Sequence, residues 1–438
     1  MAAERTRTAD YLLKRSGERR SRKGVVYMKI LFFLTSGLEK PSPSWHLMKA
    51  LLEDTLDAGI QVHAIQKHYT NNTAEAFPES ILNHPNFTYS AVNTTIPRGK
   101  ASYVKRYLGG IKYALNARKH YQAHNDFDMV FVQSAPTSFY YILTARHFAK
   151  KRPVLYNSQD MFPGSAIANG SMPKKWMQTV FYGLQKIAYR KADMITAISE
   201  DMKVKLMEQG VPENKVSVIV NWYDDQAVHE VPWEENRFAK NYGLSPDKFY
   251  VQYAGTMGTN FNPDIVLDVA ELLRDKKDIE FQMIGQGARK AKFEADARAR
   301  GLDNIIFYPL QPQDLVSDVY SACSVCIIPL KEGVIGNSVP SKAGLLMACG
   351  RVIVNSVDDG CDYGQMFERE KIGFAAGTKD ARKLASDILY LYEHPEERRE
   401  YGNRAKEFGK REYSRKVNTP KYVELFRALT KQTGRANQ

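Results

Sequence analysis

The residues best suited to chemistry lie between Ile327 and Ser356, in the sequence IIPLKEGVIGNSVPSKAGLLMACGRVIVNS. The pattern predicts a strand, a loop with two glycines, a short helix and a second strand. Gly333 and Gly336 allow the loop to turn sharply, and Pro340 suits a first helical turn, where its missing N–H is not needed. A helix start facing the carboxyl end of a strand can bind phosphate, because its free N–H groups and dipole point at the anion. An ordinary crossover without a ligand has the same shape.

Short apolar strands alternate with helical patterns along almost the whole chain. This alternation predicts two parallel sheets, each covered by helices on both faces, with ligands at the carboxyl ends of the strands. The predicted strands are Lys29–Leu34, Val62–Ile65, Met129–Val132, Val154–Asn157, Met194–Ile198, Val216–Val220, Tyr250–Ala254, Glu280–Ile284, Ile305–Tyr308, Val325–Ile328, Val352–Asn355 and Phe374–Ala376.

The composition is that of a globular protein with two or three domains. The chain has 438 residues, of which 43% are hydrophobic and 25% are charged, which is ordinary for a water-soluble fold. No apolar run reaches the roughly 18 residues needed to span a bilayer. The sequence therefore predicts a cytoplasmic protein, with peripheral contact to the inner face of a membrane left open.

The first 27 residues differ from the rest of the chain. They hold eight lysines and arginines and three acidic residues, which is a net charge of +5. The rest of the chain therefore carries +8 of the total formal charge of +13. Weak periodicity and high charge predict a disordered extension. The apolar stretch Ile30–Leu34 is too short for a signal peptide, and we interpret it as a first strand. A translation start at Met28 stays open.

The four cysteines do not predict a metal site. Cys323 and Cys326 form a single CxxC pair, whereas a zinc site needs a second pair of ligands at suitable spacing. We interpret these thiols as small buried hydrophobic side chains.

A stretch from Lys191 to Asp224 reads as strand, capped helix and strand, with Ser199 as the helix cap and Glu200 in the first turn. Its pattern, ADxxxxxSExxxxxLxxxGVPxxKVxVIxNxxD, resembles that of the family-4 retaining glycosyltransferases of the GT-B fold. The resemblance continues through YAGTMG, NPDIVLDVAELL, MIGQG and SVPSKAGLLMACGRVIV, over roughly residues 28–425. It is strongest for the bacterial polysaccharide-assembly branch.

The resemblance implies an α/β fold of the GT-B type, with two Rossmann-like parallel-sheet domains facing across a cleft. An acceptor-binding domain would span residues 28–222. The linker and the nucleotide-sugar-binding domain would span residues 223–418, and a C-terminal helix with a polar tail would span residues 419–438.

The same resemblance implies a retaining hexosyltransferase that uses a nucleotide diphosphate sugar, most readily one linked to UDP, without a metal or another cofactor. The acceptor would be a lipid-linked glycan or an oligosaccharide. Lys342 would contribute to catalysis by neutralising the diphosphate. The residues matched to the donor site are Gly255, Gly258, Gly285, Gly287, Ser338, Val339, Pro340 and Ser341.

The first domain would supply the acceptor side of the cleft. Asp160 matches an acidic position after a strand and could orient the acceptor or the transferred sugar, although a loop aspartate often only satisfies backbone amides. Its neighbour Gln159 would lie beside it. Gly37, Ser44 and His46 follow the first strand, in a loop that faces the cleft in relatives.

This sequence departs from the family pattern at the donor site. Many relatives carry two glutamates where this chain has Asn337 and Leu345, and an arginine and a lysine where it has Thr256 and Phe261. The usual cationic clamp and the ribose-binding acid are therefore missing. Further candidates for the charge are Arg289, Lys290 and Lys331, each of which could also be an ordinary surface residue.

Two helical stretches, Arg98–Tyr121 and Lys174–Lys191, mix basic and aromatic residues, which suits either an anionic membrane surface or ordinary packed helices. Dispersed basic residues and the lack of a recognisable motif disfavour a nucleic-acid partner. Two alternatives to transfer stay open: a nucleotide-sugar 2-epimerase, and a non-catalytic scaffold subunit with a degenerate donor site. A dinucleotide oxidoreductase is disfavoured, because Gly285 and Gly287 are not followed by the third glycine.

Overall fold

The fold is known from a computed structural model that describes residues 28–35, 45–69, 77–94 and 103–435. The predicted extension 1–27 and the acceptor-side candidates Gly37 and Ser44 lie outside these residues. Within the described ranges no helix is both long and apolar enough to cross a membrane.

The first domain is built on a seven-stranded parallel sheet. Its strands are β1 Lys29–Phe33, β2 Gln61–Tyr69, β3 Phe87–Thr94, β4 Met129–Gln133, β5 Val154–Asn157, β6 Met194–Ala197 and β7 Val216–Val218. They lie in the order β3-β2-β1-β4-β5-β6-β7. The central strands β4 and β5 are buried along their whole length, as expected for parallel strands covered on both faces.

The second domain is built on a six-stranded parallel sheet. Its strands are β8 Phe249–Ala254, β9 Ile279–Ile284, β10 Ile305–Tyr308, β11 Val325–Pro329, β12 Val352–Val357 and β13 Gly373–Gly377. Their order is β10-β9-β8-β11-β12-β13. The prediction of two parallel sheets is confirmed, and all twelve predicted strands are present with small shifts at their ends. Strand β3 was not predicted, although FTYSAVNT carries the alternation typical of an edge strand.

Helices cover both sheets. Those of the first half are α1 Trp45–Asp57, α2 Glu79–Leu82, α3 Tyr103–Ala123, α4 Ser138–Ala149, α5 Gly164–Ala168, α6 Lys175–Lys191 and α7 Glu200–Glu208. Those of the second half are α8 Arg237–Tyr242, α9 Pro263–Leu272, α10 Lys290–Ala299, α11 Val316–Ser321, α12 Lys342–Ala348, α13 Asp362–Arg369, α14 Ala381–Glu393, α15 Pro395–Phe408 and α16 Arg415–Arg435.

The last helix, α16, returns to the first domain. The rings of Tyr422 and Phe426 pack edge-on against Phe131, with centroids 6.3 and 6.0 Å away. Arg415 binds Asp54 of α1 through its guanidinium at 2.6 Å. The sequence predicted this helix as a C-terminal element, and the structure places its apolar face against the first sheet.

Each sheet has one point where the strand order reverses, between β1 and β4 in the first and between β8 and β11 in the second. Ligands of such sheets bind beyond the carboxyl ends of the strands at these points. Gly255 lies in the loop that follows β8, and Lys342 is the first residue of α12, the helix that follows the loop after β11. The fold alone therefore directs attention to these two residues.

A buried histidine in the first sheet makes the fold sensitive to acid. The ring nitrogens of His63 lie 2.8 Å from the Thr88 hydroxyl and 3.0 Å from the Ser90 hydroxyl. The ring also stacks on His124 with centroids 3.7 Å apart. Burial, followed by the charge of His124, lowers the pKa of His63 from 6.5 to about 3.

We expect the protein to lose stability as the pH falls below about 6.5, because the unfolded His63 binds a proton that the folded ring rejects. The loss is on the order of a few kcal/mol when complete. His63→Gln should reduce the dependence of the melting temperature on pH between about 6.5 and 5, above the range where most carboxylates titrate. An unchanged dependence would rule out His63 as the source.

Candidate active site

The glycines predicted to bind the donor form two loops in backbone contact. Gly255 donates its N–H to Ile284 O at 2.9 Å, and Met257 donates to Gln286 O at 2.9 Å. A side chain at Gly285 would overlap the carbonyl of Gly255, and one at Gly287 would overlap the backbone of Met257. With φ of +134° and +156°, both positions also suit glycine in conformation. The loops after β8 and β9 therefore act as one rigid floor.

Lys342 reaches this floor from the first residue of α12. Its Nζ donates to Ala254 O at 3.1 Å and lies 3.7 Å from the centre of the Tyr253 ring. A Cβ at Gly255 would lie only 2.6 Å from the Nζ. Burial lowers the pKa of Lys342 to about 7. The ammonium therefore lies beside the first glycine turn and forms no ion pair with any carboxylate in the described part of the chain.

Two further cations, Lys331 and Arg289, lie at the same edge of the sheet. Lys331 follows β11, and its backbone N–H donates to Asn260 O at 3.0 Å in the loop after β8. Partial burial lowers the pKa of Lys331, and the nearby Arg289 lowers it further. Asp264 opposes this effect only as the smallest of the three contributions. Neither cation belongs to an ion pair among the described residues. Two like charges held close together, with no carboxylate in ion-pair contact among the described residues, form a candidate site for an anion.

Lys290, the remaining candidate cation, has a structural role. Its Nζ donates to Gly285 O at 2.9 Å and to Tyr308 O at 2.8 Å. It therefore ties the loop after β9 to the end of β10.

The loop from Lys331 to Ser341 is held by Asp358, which follows β12. The Asp358 carboxylate accepts N–H bonds from Gly333 at 2.6 Å and from Ile335 at 3.0 Å. Sequence reasoning missed Asp358, although an acidic residue directly after a buried strand is a recognisable signal. The anchored loop carries the predicted donor residues toward the first domain.

The cleft is closed where this loop touches the first domain. The backbone carbonyl of Asn337 accepts a hydrogen bond from the Met161 backbone N–H at 2.8 Å. A side chain at Gly164 would collide with the side-chain amide of Asn337. Val339 packs against the hydrophobic cores of both domains. Asp160, which precedes Met161, is thereby placed next to the loop of the second domain.

Asp160 lies at the surface of the cleft and is exposed to solvent. Desolvation by the surrounding residues raises the pKa of its carboxyl to about 6. Its neighbour Gln159 donates to Asn157 Oδ1 at 3.2 Å and so points back toward the end of β5. A carboxyl group that titrates near neutral pH in a cleft is suited to positioning or proton transfer.

A second contact between the domains also escaped sequence reasoning. Both carboxylate oxygens of Asp201 accept N–H bonds from the start of α13, from Asp362 at 2.8 Å and from Tyr363 at 2.9 Å. Lys205 donates to Ile335 O at 3.0 Å. Ser199 caps α7 by accepting the Met202 N–H at 3.1 Å, as predicted. Helix α7 therefore presents its first turns to the other domain.

The structure brings the predicted donor residues to one edge of the second sheet, and their binding roles remain predictions. On the acceptor side, His46 lies in the first turn of α1, which follows β1. The residues at the donor edge are Gly255, Gly258, Gly285, Gly287, Ser338, Val339, Pro340, Ser341 and Lys342.

The departures from the family pattern have a local explanation. Phe261 is buried in the core of the second domain, with its ring 4.6 Å from that of Tyr253 and 5.5 Å from that of Phe293. A cation at this position would lose that packing. Leu345 likewise packs against the core.

Among the residues that the structure describes, no group of three or more His, Cys, Asp or Glu side chains is arranged to hold a metal ion. Cys323 and Cys326 are buried thiols with sulfurs 2.9 Å apart.

Two parallel-sheet domains that meet across a cleft, with glycine loops at the edge of the second, define the GT-B class. Each half of the chain matches a glycosyltransferase family. The family described as Glycosyltransferase Family 4 matches residues 46–227, and the family described as Glycosyl transferases group 1 matches residues 234–408. The chain belongs to the family-4 glycosyltransferases of the GT-B fold.

Similar proteins come from bacterial polysaccharide systems and from sugar metabolism. WcaI of Escherichia coli, named as a colanic acid biosynthesis glycosyl transferase, is 27% identical over 225 residues, which are 50% of this chain and 55% of WcaI. The match thus spans about half the length of that relative.

Solved structures confirm the fold. Sucrose-phosphate synthase from Thermosynechococcus elongatus superposes with a TM-score of 0.73 at 16% identity, over 92% of this chain and 99% of the synthase. HepE of Anabaena, solved in complex with UDP-glucose, superposes with a TM-score of 0.67 at 15% identity, over 92% of this chain and all of that chain.

We predict that Gly285→Ala destabilises the second domain by about 2 kcal/mol or more and weakens UDP binding, because the new methyl group meets the Gly255 carbonyl in a strained backbone. Thermal melting and titration with UDP measure both effects. Gly258→Ala is the matched control for thermal melting, because a Cβ there has no contact closer than 3.4 Å. Equal melting temperatures of the two variants would contradict the account of the floor.

Proposed function

We propose that this protein is a retaining hexosyltransferase that moves a sugar from a nucleotide diphosphate sugar, UDP-linked by preference, to a lipid-linked or oligosaccharide acceptor in surface polysaccharide synthesis. The observation that carries the proposal is the set of cations around the glycine floor. Lys342, Lys331 and Arg289 reach the edge from three different segments, and none pairs with a carboxylate in the described ranges. The name of WcaI and the UDP-glucose complex of HepE support the choice of reaction and donor.

The donor would bind with its diphosphate on the floor and its sugar toward the first domain. Bond breakage between the anomeric carbon and the diphosphate oxygen places negative charge on the leaving group. A lysine ammonium in a poorly hydrated site stabilises that charge more strongly than it would in water. Protein cations would thus do the work in place of a metal ion or another cofactor.

Retention requires the acceptor hydroxyl to approach the face that the diphosphate leaves. The new bond then forms between the acceptor oxygen and the anomeric carbon, and the hydroxyl proton passes to the departing phosphate oxygen nearest to it. Asp160 would orient the acceptor or the transferred sugar from the opposite wall. Holding both reactants within the closed cleft supplies much of the acceleration.

The function is tested by incubating the purified protein with a panel of nucleotide diphosphate sugars and measuring release of the free nucleotide, with and without membrane lipid extract. We expect release with one donor only when the acceptor is present, and the same rate with EDTA. Interconversion of the donor sugar without acceptor would favour the 2-epimerase. Tight donor binding without turnover across a broad acceptor panel would favour the scaffold.

Lys342→Met should weaken UDP binding by about tenfold to a hundredfold, the usual effect of losing a charge-assisted hydrogen bond. Because the pKa of Lys342 is about 7, the affinity of the unmodified protein should fall as the pH rises, with a midpoint above 7 since the bound diphosphate favours the ammonium. The variant should lack this dependence. Isothermal titration at several pH values measures it.

The matched control for Lys342 is Lys292→Met, which removes a charge from a side chain that is 80% exposed and paired with Asp296. The control should bind UDP normally. Normal UDP affinity in Lys342→Met as well would exclude the residue from the site.

Asp160→Asn should reduce turnover by about a hundredfold or more and leave UDP affinity within about twofold of the original. Because the pKa of Asp160 is about 6, turnover should decline as the pH falls through about 6, and the variant should lack that decline. Steady-state rates of the variant and the unmodified protein over this pH range measure both effects. A fully active variant would contradict the proposed role of Asp160.

A further inference from the structure

Helix α6 turns an apolar stripe away from the protein. Trp176 is 66% exposed, Val180 is 50% exposed and Ile187 is 38% exposed. They are spaced by four and seven residues, so they share one side of the helix. The opposite side already packs into the core through Ala188 and Tyr189. The exposed stripe is therefore not needed to hold the helix in place.

Basic residues border this stripe. Lys175, Lys186, Arg190 and Lys191 are all exposed, and none forms an ion pair with the residues that the structure describes. The helix contains no aspartate or glutamate to offset them.

Helix α3 continues the same surface. Leu108 is 58% exposed and Leu115 is 42% exposed, and Lys112 and Lys119 are exposed at intervening helical spacing. The two helices lie in one layer with α4 between them, and the first turns of α3 reach α6 through an edge-to-face aromatic contact, with the ring centroid of Tyr107 5.2 Å from that of Phe181. We call the exposed residues of these two helices the α3–α6 face.

The charge of this layer is one-sided. Helices α3, α4 and α6 together contain ten lysines and arginines and no acidic residue. On the opposite side of the sheet, the layer of α1 and α16 mixes acidic residues such as Glu53 and Asp57 with basic ones such as Arg427. The absence of acidic residues from α3, α4 and α6 favours an anionic partner for the α3–α6 face.

We propose that the α3–α6 face docks on an anionic lipid bilayer. A phospholipid surface offers both a negative potential for the lysines and arginines and an apolar boundary for the aliphatic and indole side chains. A polyanion in water would satisfy only the charges, and a second copy of this chain would set the basic residues against each other. The bilayer is the partner that accommodates both parts of the pattern.

Docking in this way would place the cleft near the lipid headgroups. The chain passes from Asp160 through the short helix α5 to the first turn of α6, so Trp176 lies at the end of its helix nearest the cleft edge. A lipid-linked acceptor could then enter without leaving the surface. This use of the face rests on the proposed function, whereas the binding itself does not.

The test is cosedimentation of the full chain with vesicles of phosphatidylcholine alone or mixed with phosphatidylglycerol. We expect binding only to the mixed vesicles and its loss at about 1 M salt, where screening is nearly complete. Trp176→Ala and the double variant Lys186→Glu with Arg190→Glu should each reduce the affinity for the mixed vesicles by about tenfold or more. Both should keep their melting temperature and UDP affinity, because the substituted side chains are exposed.

Two matched controls should bind as the unmodified protein does. Leu272→Ala removes an apolar side chain that is 53% exposed on the second domain, and Lys292→Glu reverses an exposed charge there. The proposal is overturned if vesicles are not bound, if the controls weaken binding equally, or if Trp176→Ala instead abolishes self-association or binding to nucleic acid. Nucleotide release with a soluble acceptor is independent of vesicle binding, so failure of the proposed function remains distinguishable.

Discussion

The backbone contact between the loops after β8 and β9 is the constraint on which the site depends. No side chain fits between Gly285 and the Gly255 carbonyl, so these loops can approach only because glycine occupies that position. The absence of a side chain at Gly255 also leaves room for the Lys342 amine, which a Cβ there would approach to 2.6 Å. It also leaves backbone groups, rather than mobile side chains, to form the floor of the cleft.

The position of positive charge follows from this arrangement. Phe261, which stands where the family pattern has a cation, fills the core, and the cations at this edge are Lys342, Lys331 and Arg289. They belong to α12, to the loop after β11 and to the loop after β9. Several segments can thus supply positive charge to the same place, because the carboxyl ends of parallel strands lie at one edge of the sheet.

Much of the fold could be predicted from the sequence, because buried parallel strands are continuous apolar runs bounded by glycine and proline. Strand β3 was missed because it is not a continuous apolar run: FTYSAVNT carries polar residues between its apolar ones, an alternation that is a weaker signal than those of the central strands. The glycines and Lys342 were found through local motifs. The position of Asp358 directly after a buried strand is a local signal, but neither Asp358 nor Asp201 shows in its neighbouring sequence which distant backbone amides it binds.

Because α16 returns to the first sheet, the first domain is built from two separate segments of the chain, and the amino-terminal segment alone lacks part of its own core. Tyr422 and Phe426 cover Phe131, and the Tyr422 hydroxyl accepts a hydrogen bond from buried Asn157 at 2.7 Å. A fragment cut after residue 222 would expose that aromatic surface to water and invite aggregation. Dissection of this protein by limited proteolysis or gene truncation therefore has to carry residues 415–435 with the amino-terminal half, which makes circular permutation the more faithful way to separate its two halves.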